Sequence, residues 1–589
     1  MTNNNITIGI DAPAQARSYD DVRKAPATIL ERVVTASLKT LFPGRTRVRG
    51  DWIAVDYLTE ALLQYGTADR YDIFVSPDFL PAATASIASR HQDKVRSDKI
   101  RIVSSADLLN GIDDHHFTTF FAPQGLTATA FHTRGLGSKL YPVTLVSHGL
   151  SGNWQIYHRF LRILLSPTYP CDTIICTSRA SRAVMASIFD SLADRFNREF
   201  HCQLRYTGRL DVIPLCIDTE KFRPHEKASR RRLLGLPKDA LIVLFLGRIS
   251  PVKAELLPLL RVFHWLTQRN PAKKLHLVIA GTQDPRYGRV LEEQIRLLFL
   301  SDHVGFLHDL TDEQKLCLLQ ASDIFVSPAD GVEESFGVAP VEAMACGIPQ
   351  IVSDWNGYRD TVSHGETGFL VPTYWTRADS DLTTTGILLG MEFDSIVLGG
   401  SIAVDVDSLQ SHLQVMIEND QLREDMSRRS TQRAHALFSF ASVVKRYEEL
   451  WSELSQIAHP MTVRPKQSSI EIPHYFDSFR GHASSILSDD CYLGLTPLGR
   501  GIRDTELELL LRAQNLKFNV IDEQLIRIAL SQLRDDSERF DRAAVPTAGI
   551  TFGRLAAILG KQSDRHPDFA RRHVMWLIKH GLLSPEVGA

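Results

Sequence analysis

The sequence predicts an α/β protein: two doubly wound, Rossmann-like domains facing a cleft, followed by a mainly helical C-terminal domain. Three observations predict it. Short apolar runs rich in Ile, Val and Thr alternate with segments of helical period over most of the 589 residues. The alternation restarts after a charged helix, EKASRRRLLGL, so two strand series follow one another. A Pro- and Ser-containing joint, HPMTVRPKQSS, then sets off a last segment with helical period only. A chain of this length is too long for one core, which agrees with three domains. The boundaries read as 1–220, 221–459 and 470–589.

In the first domain the strand candidates are ITIGI, YDIFVSP, KIRIVSS, YPVTLVSHG and CDTIICTS. In the second they are LIVLFLG, KLHLVIAG, HVGFLHD, DIFVSP, QIVSD and GFLVP. Near-continuous apolar strands of this kind suit parallel sheets covered by helices on both faces. Ligands of open α/β sheets sit beyond the strands' carboxyl ends, so the cleft between two such domains is the expected site. Residues 374–406 break the pattern with Gly, Thr and Ser and weak periodicity, and read as an insertion. The tail reads as helices in TELELLLRAQNLKF, NVIDEQLIRIALSQL, TFGRLAAIL and FARRHVMWLIKHGLL, and LTPLGR with WLIKHGLL suggests a winged-helix-like bundle. Acid and base nearly balance there, which argues against nucleic acid and for an accessory or homo-oligomerisation role.

Composition narrows the classes. Hydrophobic residues are 44% and charged residues 23%, with net charge −3, so no global field draws the chain to nucleic acid. The start MTNNNITIGI has no basic-then-apolar leader, and no apolar run reaches membrane-spanning length. Seven scattered cysteines without a Cys-x-x-Cys clip fit reduced thiols in a cytoplasm better than disulfides or a zinc site.

Two stretches carry chemistry. LIVLFLGRISPVK is a buried strand, a turn at Gly247, then Arg248 and Lys253. Two cations beside a helix start are suited to clamp a diphosphate, though taken alone the pair reads first as a solvated surface. DIFVSPADGVEESFGVAPVEAMACG is a strand, a loop and a helix expected from near Phe336 to Gly347. Gly337 permits close backbone approach, and free N–H groups at that helix start favour phosphate. Glu334 and Glu342 are suited to accept hydrogen bonds from sugar and ribose hydroxyls; the bland alternative is a cap and a solvated carboxylate.

Taken in order, GRISPVK, IAGTQD, VGFLHDL, SPADGVEESFGVAPVEAMACGIPQIVSD and GETGFLVP resemble the donor-binding half of retaining GT-B glycosyltransferases of the family-four type. The E-x7-E spacing, the crossover RLDVIPLCIDTEKFRP and the segment CDTIICTSRASRAVM are similar to that family too, and SDWNGYRDTVSHGETGF suggests a bacterial subgroup. The resemblance covers roughly residues 140–450. It implies that Arg248 and Lys253 hold the diphosphate, Glu342 the ribose and Glu334 the donor sugar. It implies that the backbone of Gly247, Phe336, Gly337 and Val338 lines the donor site, and that His148 contacts the sugar. It implies a nucleotide-diphosphate sugar as co-substrate, a hydroxyl acceptor (glycan, lipid-linked or small molecule), no required cofactor and no metal. Glu334 as a covalent nucleophile is the minor alternative.

The sequence departs from the family in two places. The usual Gly-Gly loop after the first strand is replaced by GIDAPAQARSYDDVRKAP, with Asp11, Gln15, Arg17 and Tyr19, and Ala254 stands where a Gly usually follows the lysine. WQIYHRFLRILL suits a basic amphipathic helix, either lying on the inner membrane face or turned to the core. Rival readings are a nucleotide-sugar epimerase or phosphorylase on the same fold, and a non-catalytic nucleotide-sugar sensor.

Overall fold

The computed structural model describes residues 7–10, 50–75, 80–81, 84, 100–110, 112–114, 117–123, 125–150, 154–332, 334–382, 391–461, 475–515, 520–541, 550–563 and 566–585. Asp11, Gln15, Arg17 and Tyr19 lie outside them.

The first sheet holds seven strands: β1 (Thr7–Ile10), β2 (Arg70–Val75), β3 (Ile100–Ser104), β4 (Thr119–Ala122), β5 (Val143–Ser147), β6 (Thr173–Cys176) and β7 (Arg209–Val212), with β2, β1, β4, β5, β6 and β7 paired parallel. The second holds six: β8 (Leu241–Leu246), β9 (Leu275–Ala280), β10 (Val304–Leu307), β11 (Ile324–Ser327), β12 (Gln350–Ser353) and β13 (Gly368–Val371). The orders are β3-β2-β1-β4-β5-β6-β7 and β10-β9-β8-β11-β12-β13. In both, the chain winds outward through three strands and then returns to the other side of the first. Each sheet therefore has a switch point, β1/β4 and β8/β11, where flanking loops part to leave a crevice.

Alternation builds the second core. Along β8, Val243 and Phe245 join Leu259 and Phe263 of the helix Leu257–Arg269 on one face. Ile242 and Leu244 join Val341 and Met344 of the helix Val338–Ala345 on the other. With both faces covered, every strand residue must be apolar, which is why LIVLFL shows no polar alternation.

The first sheet is covered partly by a late segment. The helix Phe440–Ala458 lies on it, with Tyr447 and Trp451 at 5.6 and 5.1 Å from the Phe121 ring of β4. Its stripe Val443, Tyr447, Trp451 and Leu454 recurs at helical spacing and is fully buried. The chain thus crosses between the sheets twice, and the crossings touch: Ile217 N–H donates to Phe438 O at 2.9 Å.

An ion pair lies inside the first sheet's edge. Arg134 is 3% and Asp172 0% side-chain exposed, and both Arg134 nitrogens reach the carboxylate, at 2.5 and 2.9 Å. Arg134 also donates to Tyr141 O and Pro167 O, while Asp172 accepts from the N–H groups of Val143 and Tyr169.

The stretch 374–406 is more regular than its composition suggests. β14 (Thr373–Trp375) pairs antiparallel with β15 (Ile402–Val404), and the helix Met391–Gly399 precedes β15. In the helix Trp154–Leu164, Phe160 and Ile163 are fully buried, and Phe160 meets Phe189 at 4.9 Å. That apolar face is turned to the core.

Residues 469–589 belong to a separate compact unit. Its helices Asp504–Gln514, Glu523–Asp541, Phe552–Gly560 and Pro567–Lys579 share a core around Leu493, Ile526, Leu555 and Val574. The sequence pattern shows only the helices. The structure adds an antiparallel sheet, β16 (Tyr492–Leu495), β17 (Ile550–Thr551) and β18 (Leu583–Pro585), ordered β17-β16-β18. Strands of two to four residues are too short to show a period.

Candidate active site

The switch point of the second sheet brings together the two stretches singled out in the sequence. From the end of β8 the backbone runs on beside 281–284: Ile249 N–H donates to Thr282 O and Asp284 N–H to Ile249 O. Gly281, at φ +137°, allows this; a Cβ there would stand 1.9 Å from Gly247 O. The turn Ser250–Lys253 then aims the Lys253 side chain back past Gly247, where a Cβ would stand 3.6 Å from Lys253 Cε. Arg248 is exposed beside it.

Lys253 Nζ meets Glu334 Oε2 in a direct ion pair, with both side chains largely buried. The buried Tyr358 hydroxyl completes the group. It lies 3.5 Å from Lys253 Nζ, 3.4 Å from Glu334 Oε2 and 2.9 Å from Ser327 Oγ at the end of β11. The second carboxylate oxygen of Glu334 accepts from Phe336 N–H at 3.3 Å. So Glu334 is both the partner of Lys253 and the brace of the following turn.

That turn depends on Gly337, whose φ is +94°, and it caps a helix that starts at Val338, two residues after the expected start. A Cβ at Gly337 would fall 2.4 Å from Tyr358 Cε1. Gly337→Ala therefore suffers backbone strain and a clash together. We expect it to lower stability by about 1–3 kcal/mol. It should also displace the Tyr358 hydroxyl from Lys253 and Glu334; an alanine variant with wild-type melting would contradict this.

Glu342 is held elsewhere on the helix. It is 0% exposed, with Lys315 Nζ at 2.6 and 2.5 Å from its two oxygens. The Tyr57 hydroxyl of the helix Gly50–Tyr65 donates to Oε1 at 2.9 Å. Burial, then the Glu342 charge, push the Tyr57 phenol well above its ordinary pKa, so it stays protonated and donating. The solvated-carboxylate alternative does not hold: Glu342 is buried and paired, and a ligand reaches it only where Tyr57 or Lys315 makes room.

The first sheet meets this loop at Ser335. Ser335 Oγ donates to His148 O at 2.7 Å, and Ser178 Oγ donates to Ser335 O at 2.9 Å. The His148 ring turns the other way, with Nε2 at 2.5 Å from Pro123 O beyond β4. Beside it, Arg179 binds Asp360 through its backbone N–H and its Nε, both at 2.6 Å. The segment TSR after β6 thus ties the two sheets together at their carboxyl ends. Sequence reading had its pattern but not this role. Tyr358, Lys315 and Tyr57 had no local signal at all.

Behind Lys253 sits a buried acid. Asp330 accepts from Glu255 N–H at 3.3 and 3.4 Å. Burial, with the Glu255 charge adding to it, pushes Asp330 up to about 7 despite those N–H donors. The folded state then holds a proton that the unfolded chain releases near pH 4. Stability should fall as pH rises from about 4 to about 7. Asp330→Asn should remove that slope; melting curves at a series of pH values test it, and an unchanged slope would refute it.

Among the described residues, no group of three or more His, Cys, Asp or Glu is placed to hold a metal ion, and no helix is long and apolar enough to cross a membrane.

Two Rossmann-ordered sheets joined at their strand carboxyl ends define the GT-B class of fold. Residues 226–382, the segment carrying Gly247, Lys253, Glu334 and Glu342, match the family described as Glycosyl transferases group 1. Among curated proteins, the chain is 36% identical over 183 residues to D-inositol 3-phosphate glycosyltransferase of Rhodococcus erythropolis, 30% of this chain and 41% of that one. It is 34% identical over 172 residues to D-inositol 3-phosphate glycosyltransferase 2 of Catenulispora acidiphila, 28% of this chain and 39% of that one. The matches thus span about two fifths of those relatives' length. Solved structures with a similar course include Anabaena HepE in complex with UDP (15% identity, TM-score 0.47, 69% of this chain and 98% of that one). Another is sucrose-phosphate synthase from Thermosynechococcus elongatus (19% identity, TM-score 0.45, 70% of this chain and 94% of that one).

Proposed function

We propose that the protein is a retaining glycosyltransferase that moves a sugar from a nucleotide-diphosphate sugar to a hydroxyl acceptor. The observation that carries this reading is the Lys253–Glu334–Tyr358 group at the β8/β11 switch point, within the segment that matches the glycosyltransferase family. A cation already paired to a carboxylate, beside a glycine turn, is preorganised for a diphosphate and for the hydroxyls of the sugar attached to it. Arg248 and Lys253 stabilise the diphosphate as it leaves. The turn at Phe336, Gly337 and Val338 lies against it, and Glu334 takes sugar hydroxyls. Glu342, paired with Lys315, takes the ribose diol once Tyr57 gives way. His148 contacts the sugar once its ring leaves Pro123 O.

In the step itself the acceptor oxygen bonds to the anomeric carbon on the face the diphosphate leaves. The carbon–oxygen bond to phosphate breaks, and a phosphate oxygen receives the acceptor's proton. Positioning and charge stabilisation supply the acceleration, with no protein nucleophile. Melting the wild type and Lys253→Ala with UDP, GDP, ADP and dTDP tests the site. At about 100 times its Kd, the right nucleotide adds roughly 2.7 kcal/mol to wild-type stability. The variant should show none of it. No shift with any nucleotide in the wild type would sink the reading.

A further inference from the structure

We infer that Tyr57 competes with the nucleotide's ribose for Glu342, so that a ribonucleotide binds by displacing the Tyr57 hydroxyl. The inference rests on the transfer reading above, which puts the ribose diol on Glu342. Two neighbouring sugar hydroxyls call for two acceptor oxygens side by side. On Glu342 one of them is in use: Tyr57 donates to Oε1 at 2.9 Å, the place a ribose hydroxyl would take. The other, Oε2, is buried and meets Lys315 as an ion pair, and no group among the described residues hydrogen-bonds it. The carboxylate therefore has one acceptor position filled by a hydroxyl of the protein and one without a hydrogen-bond donor. A buried acceptor in that condition is costly, and a diol would satisfy it.

The competitor is placed so that it can leave. Glu342 is fully buried, whereas Tyr57 is half-buried and the Lys315 side chain is 19% exposed. When the Tyr57 hydroxyl leaves, Lys315 stays and the Glu342 charge remains compensated. The Tyr57 ring meets Phe222 at 6.3 Å and Phe440 at 6.1 Å, one from each crossing between the sheets. Its helix, Gly50–Tyr65, shares a core with Val443 and Tyr447 through Leu58, Ala61 and Leu62. The hydroxyl is thus positioned by helices of the first sheet, and its acceptor by the helix Val338–Ala345 of the second. A small shift at the crossings moves one against the other. The raised phenol pKa keeps the hydroxyl protonated through the neutral range, so it fills Oε1 as a donor until displaced.

The affinity observed for a nucleotide is then its intrinsic affinity scaled down by the fraction of molecules whose Tyr57 has moved aside. A hydrogen bond to a charged group shifts such an equilibrium by about tenfold or more.

The test is calorimetric titration of the full chain with UDP, GDP and ADP, each beside its 2′-deoxy counterpart, in the wild type and in Tyr57→Phe. Melting curves show that the variant folds. The substitution keeps the ring against Phe222 and Phe440 and removes only the hydroxyl. The ribonucleotide that binds the wild type should bind Tyr57→Phe about tenfold more tightly. Its 2′-deoxy form, one hydroxyl short, should bind the wild type more weakly and gain less from the substitution. A merely structural bond predicts the reverse, since loss of a donor to the buried carboxylate would loosen the site. Ribonucleotide affinity unchanged or weakened in a folded Tyr57→Phe would overturn the inference. So would an equal gain for the ribo and deoxy forms, or a wild type that binds both alike. Each of those results leaves the diphosphate site standing, whereas no binding of any nucleotide to either protein would overturn the transfer reading and this inference with it.

Discussion

Lys253→Ala is expected to lower sugar transfer by about 10²–10³-fold, the usual cost of removing one preorganised donor from a developing negative charge. The geometry explains the size. Lys253 is the cation that Glu334 and Tyr358 both address, and its stem is guided by the turn after Gly247. Under the proposed mechanism, its removal withdraws charge from the leaving diphosphate and leaves the Glu334 carboxylate facing that diphosphate uncompensated. Repulsion then adds to lost attraction. Lys253→Arg keeps the charge but sets a planar fork where a point charge fits, so partial recovery is expected. Glu334→Ala should also impair transfer, and the double variant should cost less than the sum, because the two act as a unit. Steady-state rates, read beside melting curves to show that the variants fold, decide the matter. Transfer unchanged in Lys253→Ala would remove the basis of the proposed mechanism.

Arg134→Ala should be the most destabilising single substitution of those considered, by about 3–5 kcal/mol, because it strands a buried Asp172 charge. Four groups converge on that carboxylate and its partner: the N–H groups of Val143 and Tyr169, and the carbonyls of Tyr141 and Pro167. Val143 begins β5, the strand that leads to His148, so the loss is expected to loosen the wall that Ser335 leans on. Replacing both members, Arg134→Leu with Asp172→Leu, should cost less than Arg134→Ala alone, since no lone charge remains. Urea unfolding of the three proteins measures this. A double variant as unstable as the single one would show that the pair acts through packing.

Much of this molecule is legible locally. The runs LIVLFL and LHLVIA are strands because six apolar residues in a row between turn signals leave few alternatives. Gly337 stands where the backbone must turn sharply against the Tyr358 ring. The excursion at 374–406 is visible as a break in period, but not as a hairpin, since strands of three residues have no pattern to read. The second crossing is invisible for another reason. The stripe in Phe440–Ala458 announces a buried face and says nothing of which sheet it covers.

The site divides the same way. Lys253, Glu334 and Gly337 are set by sequence spacing, because each lies within a few residues of a strand end and the chain's own turn points it. Their partners are not. Tyr358 reaches Glu334 across 24 residues, Ser178 reaches Ser335 across 157, and Tyr57 reaches Glu342 across 285. The amino-acid sequence by itself determined the strands, the turns and the charged groups at their ends, since periodicity and turn chemistry act over a few residues. Only the tertiary structure decided that Glu342 is buried against Lys315 and Tyr57, and that the Ser178–Arg179 turn closes onto the donor loop. Those contacts depend on strand order and on where the crossings fall, and packing sets both only once the whole chain has folded.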